Sequence, residues 1–121
     1  MDASFYSALS AQTGTTKVYP VLAPETAVAP FVVYQRTGTQ RDLAVDGPTG
    51  LAIASYRVDV YATSLKAAKN IADDVVTGLS QYATAPIIYI RIENEFDASD
   101  LSGDPKLFRM IVEVDAHFIT A

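Results

Sequence analysis

Hydrophobic and polar positions alternate with a period of two in three stretches of the chain. In residues 51–63, Tyr56, Val58, Val60 and Ala62 alternate with Arg57, Asp59 and Tyr61. In residues 87–93, Ile88, Ile90 and Ile92 alternate with Tyr89, Arg91 and Glu93. In residues 107–119, Phe108, Met110, Val112, Val114, Ala116 and Phe118 alternate with Arg109, Ile111, Glu113, Asp115 and His117. This is the pattern of strands that bury one face and wet the other. A further strand is predicted over 31–37, rich in β-branched and aromatic residues, and a short extended piece over 18–22, broken by Pro20 and Pro24. Residues 96–105 are acidic and turn-rich, so the last two strands read as one antiparallel hairpin.

Between the strands the period changes. Leu65, Ala68, Ile71, Ala72, Val75 and Leu79 make one apolar stripe at helical spacing, with Ser64 as N-cap and an end near Tyr82. Gly78 weakens its last turns. Phe5, Ala8 and Leu9 share one face of a shorter helix, with Asp2 or Ser4 as cap. Three one-sided strands need a cover, and the two helices supply it. The fold expected is α+β: two layers, a mainly antiparallel β-sheet with one long and one short helix packed on one face. A charge placed at Val112 would enter the core unpaired and destroy the fold. No repeat or internal boundary divides the chain, so residues 1–121 read as one domain.

The other sheet face then has no helix left to cover it. It carries Arg57, Asp59, Tyr61, Tyr89, Arg91, Glu93, Arg109, Glu113, Asp115 and His117. Two readings stand: a solvated surface with cross-strand ion pairs, or a surface that meets a partner or a water-filled channel. Residues 38–50 read as a long polar loop holding Arg41, Asp42 and Asp46. Hairpin loops usually have about 2–5 residues, so this one is a candidate contact loop.

Composition narrows the chemistry. With 121 residues the chain can build one proper core. Half of them are hydrophobic and 19% charged, which excludes wholesale disorder. The net charge of -5 argues against a nucleic-acid grip based on overall positive charge. No cysteine is present, which removes thiol nucleophiles, thiolate zinc sites and disulfides. The start lacks signal-peptide character and no apolar run approaches the ~20 residues of a membrane span, so a soluble intracellular protein without a membrane partner is expected.

Chemical motifs fail on inspection. The segment Thr13-Gly14-Thr15-Thr16-Lys17 is too short for a phosphate loop. Gly78-Leu79-Ser80-Gln81-Tyr82 begins like a hydrolase elbow but ends in tyrosine, and it sits on a helix. Residues 97–104 resemble a calcium loop with the wrong register: Leu101 falls on a ligand position, and Phe108 stands where a bidentate Glu belongs. His117 is the one histidine; a general base is conceivable, but an ordinary surface or interface residue is the commoner role. No catalytic residue, cofactor or metal site is expected, and the chain does not read as an enzyme.

The order of segments carries a resemblance. A short helix is followed by Val18-Tyr19-Pro20 and a proline-containing loop. Then come Pro30-Phe31-Val32-Val33-Tyr34-Gln35, the segment Gly47-Pro48-Thr49-Gly50-Leu51, and Tyr56-Arg57-Val58-Asp59-Val60-Tyr61-Ala62. An alanine-rich helix and a long hairpin complete the chain. This order resembles the small tail-completion or tail-terminator proteins of long-tailed phages, a group similar to the lambda tail terminator. The resemblance implies structural work in the virion tail after assembly in the host cytoplasm. It implies a hexameric ring of copies on the head-proximal end of the tail tube, which stops tube polymerisation and offers a docking surface to the head. Its implied partners are other copies of itself, the tail tube protein and the head–tail connector protein, with DNA passing through without specific binding. Another head–tail joining or closure protein, a monomeric ligand-binding domain, or a hydrolase without a recognised motif remain the alternatives.

Overall fold

The computed structural model describes residues 2–13, 17–20, 29–44, 47–83, 87–99 and 107–119; of residues 2, 41–44, 47–51 and 119 it describes the backbone alone. The elements run α1 (Asp2–Thr13), β1 (Lys17–Pro20), β2 (Phe31–Ala44), β3 (Gly47–Ala62), α2 (Leu65–Ser80), β4 (Ile87–Asp97) and β5 (Phe108–Ile119). The strands form one sheet in the order β1-β2-β3-β5-β4. Only β1 and β2 run parallel; the other neighbours are antiparallel. The chain is therefore the expected α+β fold.

Alternation places Ala54, Tyr56, Val58, Val60 and Ala62 of β3 beside Met110, Val112, Val114, Ala116 and Phe118 of β5, all buried on one face. Helix α2 lays Ala68, Ala72, Val75 and Leu79 on that face, and α1 adds Phe5, Ala8 and Leu9. Phe5 stacks flat on Tyr56, with centroids 3.9 Å apart and planes 2° from parallel. Each large side chain buried in this layer contributes roughly 1.5–3 kcal/mol.

Helix α2 starts where the sequence says. Ser64 has extended backbone (φ -137, ψ 151), and its hydroxyl accepts the Ala67 N–H at 3.2 Å. The helix ends at Ser80, two residues before the expected stop, and Tyr82 donates its N–H to Leu79 O in a closing turn. Gly78 does more than weaken the last turns. The Gln12 side chain of α1 lies against it so closely that a Cβ there would overlap it. Gln12 in turn donates to Ala8 O at 3.2 Å, which holds it in that notch. Ser4 lies inside α1, so it is not that helix's cap.

Three expectations need correction. Residues 38–44 and 47–50 are strand, not loop. Residues 38–44 continue β2 and 47–50 begin β3, paired as far as Ala44 opposite Gly47. Thr37 is the extra residue of one bulge, and a second irregularity falls between Arg41 and Leu43. Turn residues inside a paired hairpin made this segment read as a loop, and bulges are how such residues enter a strand. Second, β4 also shifts register, between Ile87 and Tyr89 and between Ile92 and Asn94. The first shift buries Ile87 and leaves Ile88 40% exposed, against the alternation read from sequence. Third, β4 runs on to Asp97, so the acidic segment begins as strand.

Candidate assembly surface

The sheet face opposite the helices is organised in rows across the strands. Phe31, Tyr61 and Arg109 form one row; Val33, Asp59, Ile111 and Phe96 form the next. Gln35, Arg57, Glu113 and Asn94 follow, then Ser55, Asp115 and Arg91, then Ile53, His117 and Tyr89. Nine of the ten residues expected on a polar face share one, Glu93 falling at a register shift, and the two ends of that face differ.

The end nearest β1 is largely dry. Phe31, Val33 and Ile111 are buried, and Asp59 is only 5% exposed. Asp59 Oδ2 accepts from Arg109 Nη2 at 2.8 Å. Asp59 Oδ1 lies 3.2 Å from Arg57 Nε, a Coulombic contact whose angle is too poor for a hydrogen bond. The Arg109 guanidinium sits 5.6 Å from the centroid of the Tyr61 ring. Tyr61 stacks on Phe31 at 5.0 Å, and Tyr19 meets Phe31 edge-on at 6.2 Å. Two cations thus share one carboxylate against an aromatic floor, an arrangement that desolvation strengthens. Arg57 and Arg109 keep 41% and 27% of their side chains exposed, so their charges still reach solvent.

The other end is wet. The Ser55 hydroxyl donates to Asp115 Oδ1 at 2.6 Å. Arg91 Nε pairs with Glu93 Oε1 at 3.1 Å, Glu93 being the extra residue of the second β4 bulge. His117 stacks on Tyr89 with centroids 4.1 Å apart. Among the described residues, no three His, Cys, Asp or Glu side chains stand close enough to hold a metal ion.

Sequence reasoning missed that Phe31, Val33 and Ile111 are buried on this face, and it missed Asn94 and Phe96 there altogether. A signal was present for the first three. Phe31-Val32-Val33-Tyr34 and Met110-Ile111-Val112 are continuous apolar runs, the mark of strand segments buried on both sides. Asn94 and Phe96 reach the face through the bulge at Glu93, which no alternation rule reveals.

The hairpin residues expected to make contacts are described only in part. Arg41 lies in β2 opposite Ala52, and Asp42 falls at the register shift beyond it. Their side chains, and Asp46 altogether, lie outside the described residues. Pairing of β3 with β5 runs from Leu51 to Ala62, so among the described residues 47–50 pair with β2 alone. The outer hairpin is a two-stranded arm.

Both sheet edges are open among the described strands. β1 pairs with β2 only over residues 31–34, which leaves 35–44 as an edge, while β4 forms the opposite edge. Near the β2 edge, Arg36 donates to Tyr56 Oη at 3.3 Å and to Thr39 Oγ1 at 3.2 Å. Exposed large hydrophobic side chains gather at the other edge: Ile88, Tyr89 and Phe96 all lie on β4. No helix among the described residues is long and apolar enough to cross a membrane.

A family model described as "Tail completion protein gp17" matches residues 5–118. Among solved structures, a chain from the "Virion of native gene transfer agent (GTA) particle" has the same fold, with a TM-score of 0.66 at 15% identity. The match covers 92% of this chain and 84% of that one. No curated protein matches the sequence at a significant level.

Proposed function

Since the chain belongs to the tail completion protein gp17 family and is a structural protein of the virion tail, we propose that it works there as a ring of six copies. The ring caps the head-proximal end of the tail tube, halts tube polymerisation and gives the finished tail its surface for the head connector. The match over residues 5–118 is the observation that carries this reading. The fold supports it: both helices cover one sheet face, and among the described residues the opposite face and both edges remain open to company.

The role requires no bond chemistry. What it requires is a rigid slab with surfaces that recognise tube, head and sister copies. The stacked Phe5–Tyr56 pair and the layer beneath α2 supply the rigidity. A net charge of -5 per copy suits a ring through which DNA passes without adhering, because tight DNA binding comes from cationic surfaces that release counterions. The tube is the partner on one side, the connector the partner on the other.

Tube assembly with the cognate tube subunit tests the reading. Added protein is expected to stop elongation and to leave a distinct ring at one end in electron micrographs. Tubes of unchanged length with unchanged ends would remove the capping role. Size-exclusion chromatography with light scattering on the same samples reports whether the ring forms before it meets the tube.

A further inference from the structure

The two open edges of the sheet match each other. Register carried across the sheet puts Gln35 of β2 level with Asn94 of β4, through Arg57 and Glu113. It likewise puts Gln40 level with Tyr89, through Ile53 and His117. Residues 35–41 of β2, without an outer partner strand among the described residues, and residues 87–94 of β4 therefore lie at the same height on opposite sides of one molecule. β2 runs antiparallel to β3, β3 to β5 and β5 to β4, so β2 and β4 point in opposite directions. If a second copy is set beside the first in the same orientation, its β2 meets the first copy's β4 antiparallel. That is the commoner and slightly more stable pairing.

Charge favours this joint. Residues 35–41 carry Arg36 and Arg41 with no acid. Register sets residues 87–94 of β4 level with that stretch: Arg36 is level with Ile92, and Glu95 comes one pair further along, level with Tyr34. β2 against β4 therefore sets Arg36 diagonally across from Glu95 on one face, within reach of long side chains. Ile88, Tyr89 and Phe96 add exposed apolar surface on the β4 side, and Tyr6, 42% exposed beside Tyr34, adds it at the other edge. The bulges at Thr37, Ile88 and Glu93 discourage indiscriminate strand addition.

We infer that copies of this chain join head to tail through their sheets, the β2 edge of one (residues 35–41) hydrogen-bonding to the β4 edge (residues 87–94) of the next. This rests on the ring reading and specifies its joint. A heterologous contact of this kind closes into a ring when its rotation permits, whereas either like-with-like contact stops at a dimer.

The chain has no cysteine, so paired substitutions report this contact without background. Gln35→Cys with Asn94→Cys makes one pair; Gln40→Cys with Tyr89→Cys makes a second, in case the first fails to fold. Each pair lies on one sheet face and at one level. Mild oxidation of either double variant, alone and on cognate tubes, is expected to give a reducible ladder up to the closed ring. A mixture of the two single variants is expected to stop at dimers. Rings visible in micrographs with no ladder from either pair overturn the edge joint and leave the ring standing. Dimers from Asn94→Cys alone, as abundant as those from the mixture, also overturn it, because they report a like-with-like contact. Absence of both rings and tube capping overturns the ring reading together with its joint.

Discussion

At the scale of single residues, Asp59 has the most at stake. It is nearly buried and serves two arginines, so replacing it leaves two cations facing each other on a dry floor. Because both arginines are partly exposed, water recovers some of the loss. Asp59→Ala is expected to destabilise the protein by about 2 kcal/mol, in the range for hydrogen bonds to charged groups, measured by urea unfolding. An unchanged midpoint would mean that the pair is ornamental. Val112 is fully buried between Val58 and the helix layer. Val112→Ala should cost roughly 2 kcal/mol through lost burial and a small cavity, and Val112→Asp should abolish the circular dichroism of the fold.

Asp97 gives a pH signature. Its carboxylate accepts the Ser99 hydroxyl at 2.6 Å and the Ser99 N–H at 2.8 Å. Those hydrogen bonds, the hydroxyl's first, hold its pKa below the ordinary 3.8. A depressed carboxylate stabilises the fold above its unfolded pKa and loses that contribution as pH falls through the folded value. The stability gap between the native protein and its Ser99→Ala variant should therefore be constant near neutrality and shrink below about pH 4. Denaturant midpoints taken down the pH scale check this, and a gap independent of pH would contradict it. Ser99 also accepts the Arg109 N–H at 3.0 Å, so this turn locks the end of the β4–β5 ladder.

At the scale of elements, α2 owes its start to Ser64, whose hydroxyl takes an otherwise unpaired N–H. Ser64→Ala should cost about 1 kcal/mol, and Ser64→Asp should restore most of it. The outer β2–β3 arm behaves differently. Past Leu51 it pairs with no third strand among the described residues, and a two-stranded ribbon adds little stability of its own. Shortening residues 41–50 to a tight turn, or replacing Arg41 and Asp42 with Ala, is expected to leave thermal unfolding within a few degrees of the parent. The same changes are expected to lower tail assembly strongly. Fully infectious particles from the shortened variant would show that the arm has no partner.

At the scale of the whole molecule, the sheet is covered on one face and, among the described residues, open elsewhere. In the inferred joint Arg36 of one copy stands diagonally across from Glu95 of the next. Assembly joined in this way should weaken as salt is raised through the range where the screening length falls from about 10 Å to 3 Å. Light scattering across a salt series reads this directly. Assembly insensitive to salt would place the joint in apolar contacts alone.

The sequence determined the layers. The period-two runs of β3 and β5 and the stripe of α2 can be buried in only one way, so the fold class and most of the core were legible from local pattern. So was Ser64, because a cap is a local device. Chain order was enough to suggest a tail protein. Tertiary structure decided whatever depends on register. The bulge at Glu93 turned Phe96 onto the second face, the one at Ile88 exchanged Ile87 for Ile88 in the core, and pairing turned a polar loop into a hairpin arm. It also decided that Asp59 is dry, because its shelter comes from Val33, Ile111 and Arg109, residues 26 to 52 positions away in the chain. Periodicity reports which side a residue faces along its own strand; only the neighbouring strands fix what it meets there.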